Sequence, residues 1–538
     1  MSEASAAGTF DYIVVGGGAA GCVATNRLVD VHGARVLLLE AGGEDNHPLI
    51  RMPAGFFKFL NGSPFLTDHE SVPQENLGGR TVSIWQGNVL GGGSSVNAMV
   101  YMRGRPSDYD HWDEVAGGGA GWSYADMLPY FKRQEANQRL NDDAHGIDGP
   151  LKVSDPVHIS EMSFLYLKTM QARGVRLVDD FNGGDQRGVG FMQSTTYPRA
   201  RCSAVRAFLD PVRKSPLLNL QTHAKVTKIL FDGQNATGVD YHQHGQLKTA
   251  RAECGVILTA GAFVTPQLLM LSGIGPADHL REHDIEVRVN SPGVGSNLHD
   301  HHEVPLIATT DRAYGYFGED RGFRMLVNGL NYLMFKGGPV SSTGVEACAF
   351  INPLDPDGDP TIKLYCVPSI YGDKEVLGQE PTHGVTFTSC VLQPKSRGSV
   401  RLRSADPNDL PLVDPNYLDH EDDMQVQLAG LRYAREVMTV RPMVDTIDRE
   451  LIPGAEVIDE DALKDHCRAT VKTNWHPCGT ARIGRADDPM AVLTPDSKVK
   501  GVDGLHVFDA SLMPTVPHGN TNAPTMAVAD RAVDLMLR

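Results

Sequence analysis

The 538-residue sequence contains no uninterrupted apolar run near the roughly 18 residues that a membrane-spanning helix requires. Its opening stretch, MSEASAAGTFDY, has neither the basic segment nor the apolar segment of a secretory leader. The eight cysteines (Cys22, Cys202, Cys254, Cys348, Cys366, Cys390, Cys467 and Cys478) stand singly, with no Cys-x-x-Cys pair and no metal-like spacing. These absences predict a soluble, cytoplasmic protein of mostly buried, reduced thiols, with no transmembrane segment, disulfide framework or bound metal. Basic charge is also short. Lys+Arg 49 against Asp+Glu 66 leaves a formal charge of −17, and such an acidic surface repels phosphate backbones over about 10 Å at moderate salt. No nucleic-acid partner is expected. No internal repeat or low-complexity tract is present, and the length is too great for one core, so two or more domains are expected.

What is present begins with a glycine cluster. The stretch Gly16-Gly17-Gly18-Ala19-Ala20-Gly21 follows the apolar run Tyr12-Ile13-Val14-Val15, and about twenty residues later comes Val36-Leu37-Leu38-Leu39-Glu40. That order is a strand, helix, strand dinucleotide unit. Gly16 permits the tight turn, Gly18 lets backbone approach a pyrophosphate, and Gly21 lets the helix pack on the sheet, with the phosphates at the positive helix end. Glu40 is placed to accept hydrogen bonds from both ribose hydroxyls and would repel a 2'-phosphate, which disfavours NADP. FAD and NAD both remain.

Further along, Gly87 to Asn97 is too rich in glycine for a helix or strand interior and reads as a close-approach loop. Residues 220–260 read as short alternating strands ending in the apolar run Gly255 to Thr259. From about 305 to 465 the pattern changes to scattered strands, a Pro/Asp/Gly-rich linker at Asn352 to Pro360 and an amphipathic helix near Asp422 to Met438, which predicts a second domain. A strand at Leu505 to Phe508 and a final helix from about Ala523 to Leu537 close the chain.

Five segments in order resemble the glucose-methanol-choline (GMC) oxidoreductases: the opening GGGAAG; Gly87 to Gly104 with its LGGGSSVN core; Gly261 to Gly275; Gly293 to Leu298 with Asp300-His301; and Asn474-Trp475-His476-Pro477 with Asp509-Ala510-Ser511 and Asn520 to Pro524. The resemblance covers nearly the whole chain and implies FAD rather than NAD. It implies an α/β fold in which a Rossmann-like FAD-binding domain is built from discontinuous segments (1–155, 201–304 and 466–538). An α+β substrate domain with a large antiparallel sheet would take 156–200 and 305–465. Gly16, Gly18 and Gly21 would hold the pyrophosphate, Glu40 the adenosine ribose and Val226 the adenine through its backbone. The loop bearing Gly92, Gly93, Ser94, Asn97, Ala98, Met99 and Val100 would run along the isoalloxazine, with Trp475, Asp509, Ala510 and Thr521 also at the cofactor. Val96 stands where some relatives attach FAD through histidine, so non-covalent FAD is expected. Gln86 and Asn88 stand where many members carry basic residues, so a contact made there by a cation would be weaker.

Oxidising an alcohol requires removal of the hydroxyl proton and of a hydride from the carbinol carbon. Histidine suits the first task, since an imidazole near pKa 6.5 is largely unprotonated at neutral pH, and His476 matches the family's base. Asn520 matches the second polar position and would orient the substrate oxygen. Asn522 fits the N-cap of the last helix, whose free N–H groups would favour a reduced anionic flavin. His518 and Glu346 are candidates for the substrate pocket, Glu346 because some choline-handling relatives place a carboxylate there; a pocket or solvent position for the first and a structural role for the second are the alternatives. His299, His301, His302 and Glu303 superficially suggest a metal site, but Asp300-His301 falls within the family pattern, which implies that the segment supports the flavin domain. The expected reaction is oxidation of a primary alcohol (aliphatic, polyol, furfuryl or aryl) to the aldehyde, with oxygen or a quinone-like acceptor taking the electrons. A hydroxynitrile lyase on the same fold is the alternative.

Overall fold

The computed structural model describes residues 5–59, 62–371 and 382–538. Tyr12 to Val15 pair in parallel with Val36 to Leu39 on one side and with Gly255 to Leu258 on the other. A parallel strand covered on both faces has no solvent side, which is why Val36 to Leu39 are apolar without alternation and all buried. The sheet runs in the order Leu218–Gln221, Val36–Leu39, Ser5–Val15, Gln246–Leu258, Asn235–Gln243 and Ala224–Asp232, and Leu505–Val507 joins Gln246–Leu258. The strands between 224 and 258, expected to be short, are antiparallel runs of nine to thirteen residues.

A second seven-stranded sheet is antiparallel throughout. Its order is Ile447–Ile452, His302–Thr310, Gly384–Val391, Ile362–Val367, Ala347–Ile351 and Gly188–Phe191, with Lys472–Thr473 beside His302. This is the α/β architecture expected, one mostly parallel sheet assembled from distant segments and one large antiparallel sheet. The second sheet also draws strands from 302–304 and 472–473, beyond the expected 305–465 segment. The stretch Asn352 to Pro360 joins two paired strands, with Ile351 opposite Ile362, and is a hairpin connection rather than a linker.

Side-chain alternation along Ile362–Val367 sorts the second sheet's two faces. Ile362, Leu364 and Cys366 pack with Leu428 and Leu431 of the helix Glu421–Met438, while Tyr365 and Val367 pack on the other side with Cys348, Phe350 and Cys390. Lys363 shares that second face, which looks toward the first sheet's glycine loops. Within Gly87 to Asn97, Gly93–Val96 forms a helical turn rather than plain loop. The hydroxyls of Ser94 and Ser95 donate to the carbonyls of Gly91 and Leu90 and close it. The last helix runs Asn522–Met536, so Thr521 takes the N-cap expected of Asn522, without a side-chain cap bond. No helix among the described residues is long and apolar enough to cross a membrane. The eight cysteines are free, with Cys254 alone exposed.

Candidate active site

A cavity of about 570 Å³ extends between the two sheets, from Gly16 and Glu40 at one end to His476 and Asn520 at the other. Its first wall is shaped by glycine. Gly16 has φ +105°, and a Cβ there would stand 2.6 Å from the Thr259 carbonyl oxygen. A Cβ on Gly18 would meet only that same oxygen, at 3.8 Å, and one on Gly93 would meet nothing within 4 Å. Both positions therefore face the open channel, beside the N-terminus of the helix Ala19–Asn26, where backbone N–H groups favour an anion. Glu40 accepts hydrogen bonds from the Gly17 and Gly42 amides, 2.7 Å each, and burial raises its carboxyl pKa against the pull of those donors. Lone pairs remain on each oxygen for a diol. A flat dinucleotide with a pyrophosphate at Gly18 and a ribose at Glu40 fits this wall.

All but four of the expected site residues line the cavity, including Gly92, Asn97, Ala98, Met99, Val100, Val226, Trp475, Ala510 and Thr521. The exceptions are Gly21, Ser94, His518 and Glu346. Gly21 sits where a Cβ would fall 1.9 Å from the Gly16 carbonyl oxygen, so it serves helix packing. Ser94 is consumed by its own turn and by the Ala204 amide. His518 is turned to Asp108, 2.5 Å from its Nδ1. The Glu346 carboxylate accepts from Ser160, Ser163, Ser342 and Tyr316 and is a saturated buried acid. Asp509 lines the cavity, but its carboxylate is committed to Gly261, Thr265 and Ser511, leaving only its backbone free for a ligand.

His476 is 8 % exposed and held on a strained segment. Trp475 before it has φ +59°, a left-handed conformation costly for a bulky residue. Its indole stacks on Trp85 at 6.1 Å and 11°. Asp300 accepts the His476 backbone N–H (2.8 Å) and the Thr473 and Tyr417 hydroxyls (2.6 Å each), and burial pushes its carboxyl up to about 6.

The hydrogen-bond chain through the imidazole assigns its protons from both ends. His301 Nε2 lies 2.9 Å from the Leu392 carbonyl oxygen, so it carries hydrogen and leaves Nδ1 as an acceptor. His301 Nδ1 lies 2.9 Å from His476 Nδ1, which must then be the N–H. The lone pair of His476 is thereby on Nε2, 3.1 Å from Asn520 Nδ2. Starting from the other end, Lys363 can only donate, and its Nζ lies 2.9 Å from Asn520 Oδ1, which turns the amide NH₂ toward His476. Both routes give one neutral tautomer. Burial first, then the neighbouring His301 ring and the Lys363 cation, hold the His476 pKa well below its ordinary value. Burial likewise pushes His301 down to about 3.

Three residues of this site were not singled out in the sequence for these roles. For His301 the family pattern implies support of the flavin domain, and its signal is the pair Asp300-His301. Lys363 was visible as the lone cation in the apolar strand Ile362–Val367. Arg201 is fully buried, is pushed down to about 9 by that burial, and donates to the Ser94 carbonyl and to Asn97 Oδ1. It supplies a cation to the glycine loop that Gln86 and Asn88 do not. The remaining members of the apparent metal cluster diverge: His299 bonds Pro394 and Val516, His302 bonds Gln427, and Glu303 bonds Asn474.

Two GMC oxidoreductase family models match the sequence, one over residues 10–303 and one over 394–529. An alcohol dehydrogenase (acceptor) of Pseudomonas putida is 38% identical over 542 residues, spanning 98% of this chain and 96% of that protein. An oxygen-dependent choline dehydrogenase of Sinorhizobium fredii is 36% identical, spanning 98% and 95%. Among solved structures, pyridoxine 4-oxidase from Mesorbium loti superposes with TM-score 0.89 at 27% identity, over 97% of this chain and 98% of that one. An FAD-dependent oxidoreductase from Chaetomium thermophilum gives TM-score 0.87 at 27% identity, over 98% of each.

Proposed function

The chain belongs to the GMC oxidoreductase family, and on that footing we propose that it oxidises a neutral primary alcohol to the aldehyde, with non-covalent FAD in the cavity and His476 as the base. The observation that carries this is the lone pair of His476 Nε2 facing Asn520 Nδ2 on the cavity wall. An alcohol oxygen placed between these two atoms gives its proton to Nε2 and receives a hydrogen bond from the amide. Bound FAD supplies the acceptor for the hydride leaving the carbinol carbon. As the hydroxyl loses its proton, charge develops on oxygen, and the Asn520 donor, oriented by Lys363, meets it without rearrangement. Val96, a cavity-lining side chain with no nucleophile at the position where some relatives carry the linking histidine, supports non-covalent attachment.

The charges favour a neutral substrate over a quaternary ammonium. Lys363 is a cation at the Asn520 amide, Glu346 is saturated, and Glu303, which lines the cavity, is tied to Lys472 and Asn474. Oxygen and a quinone-like compound both remain as electron acceptor. The test is an anaerobic panel of aliphatic, furfuryl, aryl and quaternary-ammonium alcohols mixed with the yellow holoenzyme. Bleaching of the flavin band by neutral primary alcohols, with choline at least about tenfold slower, is the expected result. Choline bleaching it fastest would refute the neutral-substrate reading, and cyanohydrin cleavage with no bleaching would identify a lyase.

A further inference from the structure

The helix Gly322–Phe335 is mounted inside out. Phe323, Leu326, Val327, Leu330, Leu333 and Met334 recur at i, i+3, i+4, i+7, i+10 and i+11, one stripe about 120° wide on a helix of 3.6 residues per turn. They are between 45% (Val327) and 78% (Phe323) exposed. The opposite side holds the helix to the protein: Asn328 donates to Glu319, the Tyr332 hydroxyl donates to the Arg199 carbonyl, and Tyr332 is buried. An ordinary surface helix turns its apolar stripe inward. A contiguous apolar face rimmed by polar residues marks an interaction surface.

Charge selects the partner. The segment 319–336 carries Arg321, Arg324 and Lys336, and Lys58 and Arg199 reach it from elsewhere, against Glu319 and Asp320. Five cations against two carboxylates make a positive rim on a molecule whose formal charge is −17. A second copy docking isologously on this face would oppose one positive rim with another. An anionic lipid surface matches both features, acyl chains for the stripe and headgroups for the rim, as in interfacial amphipathic helices. The helix also adjoins the cavity. Lys58 pairs with Asp320 at 2.6 Å, and the preceding Phe56 and Phe57 line the cavity wall.

We propose that the exposed face of Gly322–Phe335 docks the protein on an anionic lipid bilayer, beside the cavity wall formed by Phe56 and Phe57. This does not depend on the assignment of His476 or of the substrate. The test is flotation of the holoenzyme with vesicles of phosphatidylcholine, with and without phosphatidylglycerol. Wild type should float with the phosphatidylglycerol vesicles at low salt. Bound protein should fall roughly tenfold or more with phosphatidylcholine alone, or for the double variant Leu326→Asp/Leu333→Asp, while flavin content stays unchanged. Should that variant lose its flavin, Arg321→Glu/Arg324→Glu replaces it, with the same loss expected. Failure of wild type to float, or equal flotation by a flavin-loaded variant, overturns the proposal. So does light scattering that finds a wild-type dimer dissolved by Leu326→Asp/Leu333→Asp, which would assign the face to a second copy.

Discussion

His476→Ala is expected to stay folded and yellow while anaerobic flavin bleaching by a primary alcohol slows by about a hundred- to ten-thousand-fold. The backbone of residue 476 is held by Asp300, not by the imidazole, so the segment keeps its place. What is lost is the Nε2 lone pair. Removal of the ring also leaves the Nδ1 of His301 and the Nδ2 of Asn520 without that partner, at a cost of about 1–3 kcal/mol for each left dry. A lowered melting temperature should therefore accompany the kinetic loss. Stopped-flow absorbance on the variant reconstituted to full flavin content separates the two effects, since a stability defect alone leaves the rate of the loaded fraction unchanged. Bleaching within a few-fold of wild type would remove His476 from the base role.

Gly18→Val should give a folded protein that no longer holds flavin. Gly18 has φ −71° and ψ −166°, which valine adopts readily, and its Cβ direction is open except for the Thr259 oxygen at 3.8 Å. The branched side chain would fill the space where a pyrophosphate meets the helix N-terminus. Flavin retained through purification is expected to fall at least roughly tenfold, with the far-ultraviolet circular dichroism of the apoprotein preserved. Gly21→Val is the contrasting case. Its Cβ would strike the Gly16 carbonyl, so misfolding rather than selective flavin loss is expected. A Gly18→Val protein with full flavin would show that the cofactor lies elsewhere.

The first sheet was readable because local pattern determined it. An apolar run, a glycine turn and a second apolar run ending in Glu40 leave few alternatives, and the amphipathic period of Glu421–Met438 gave that helix nearly to the residue. His476, the proposed base, stood out in the sequence because Trp475-His476-Pro477 sits in a motif. Lys363 and His301 escaped because their roles arise from pairings across 157 and 175 residues, which only the folded register supplies. Glu346 and His518 stayed open between pocket and other roles for the same reason: composition shows an acid and an imidazole, but not the Ser160, Ser163, Ser342 and Tyr316 hydroxyls that donate to the one or the Asp108 carboxylate beside the other. Thr521 rather than Asn522 takes the cap because the helix starts one residue earlier than the side chains suggest.

The pairing of His476 with His301 and Asn520 makes a claim about protonation, namely that Nε2 is bare at every physiological pH because burial and the nearby charges hold the imidazole's affinity for protons far below normal. The rate of anaerobic flavin reduction by a saturating primary alcohol, followed by stopped flow from pH 8 to pH 6, reads this directly. A flat profile across that range is predicted. A rate that declines about tenfold per unit below a midpoint near 6.5 would reveal an imidazole of ordinary basicity, and would contradict the claim that its surroundings keep Nε2 bare.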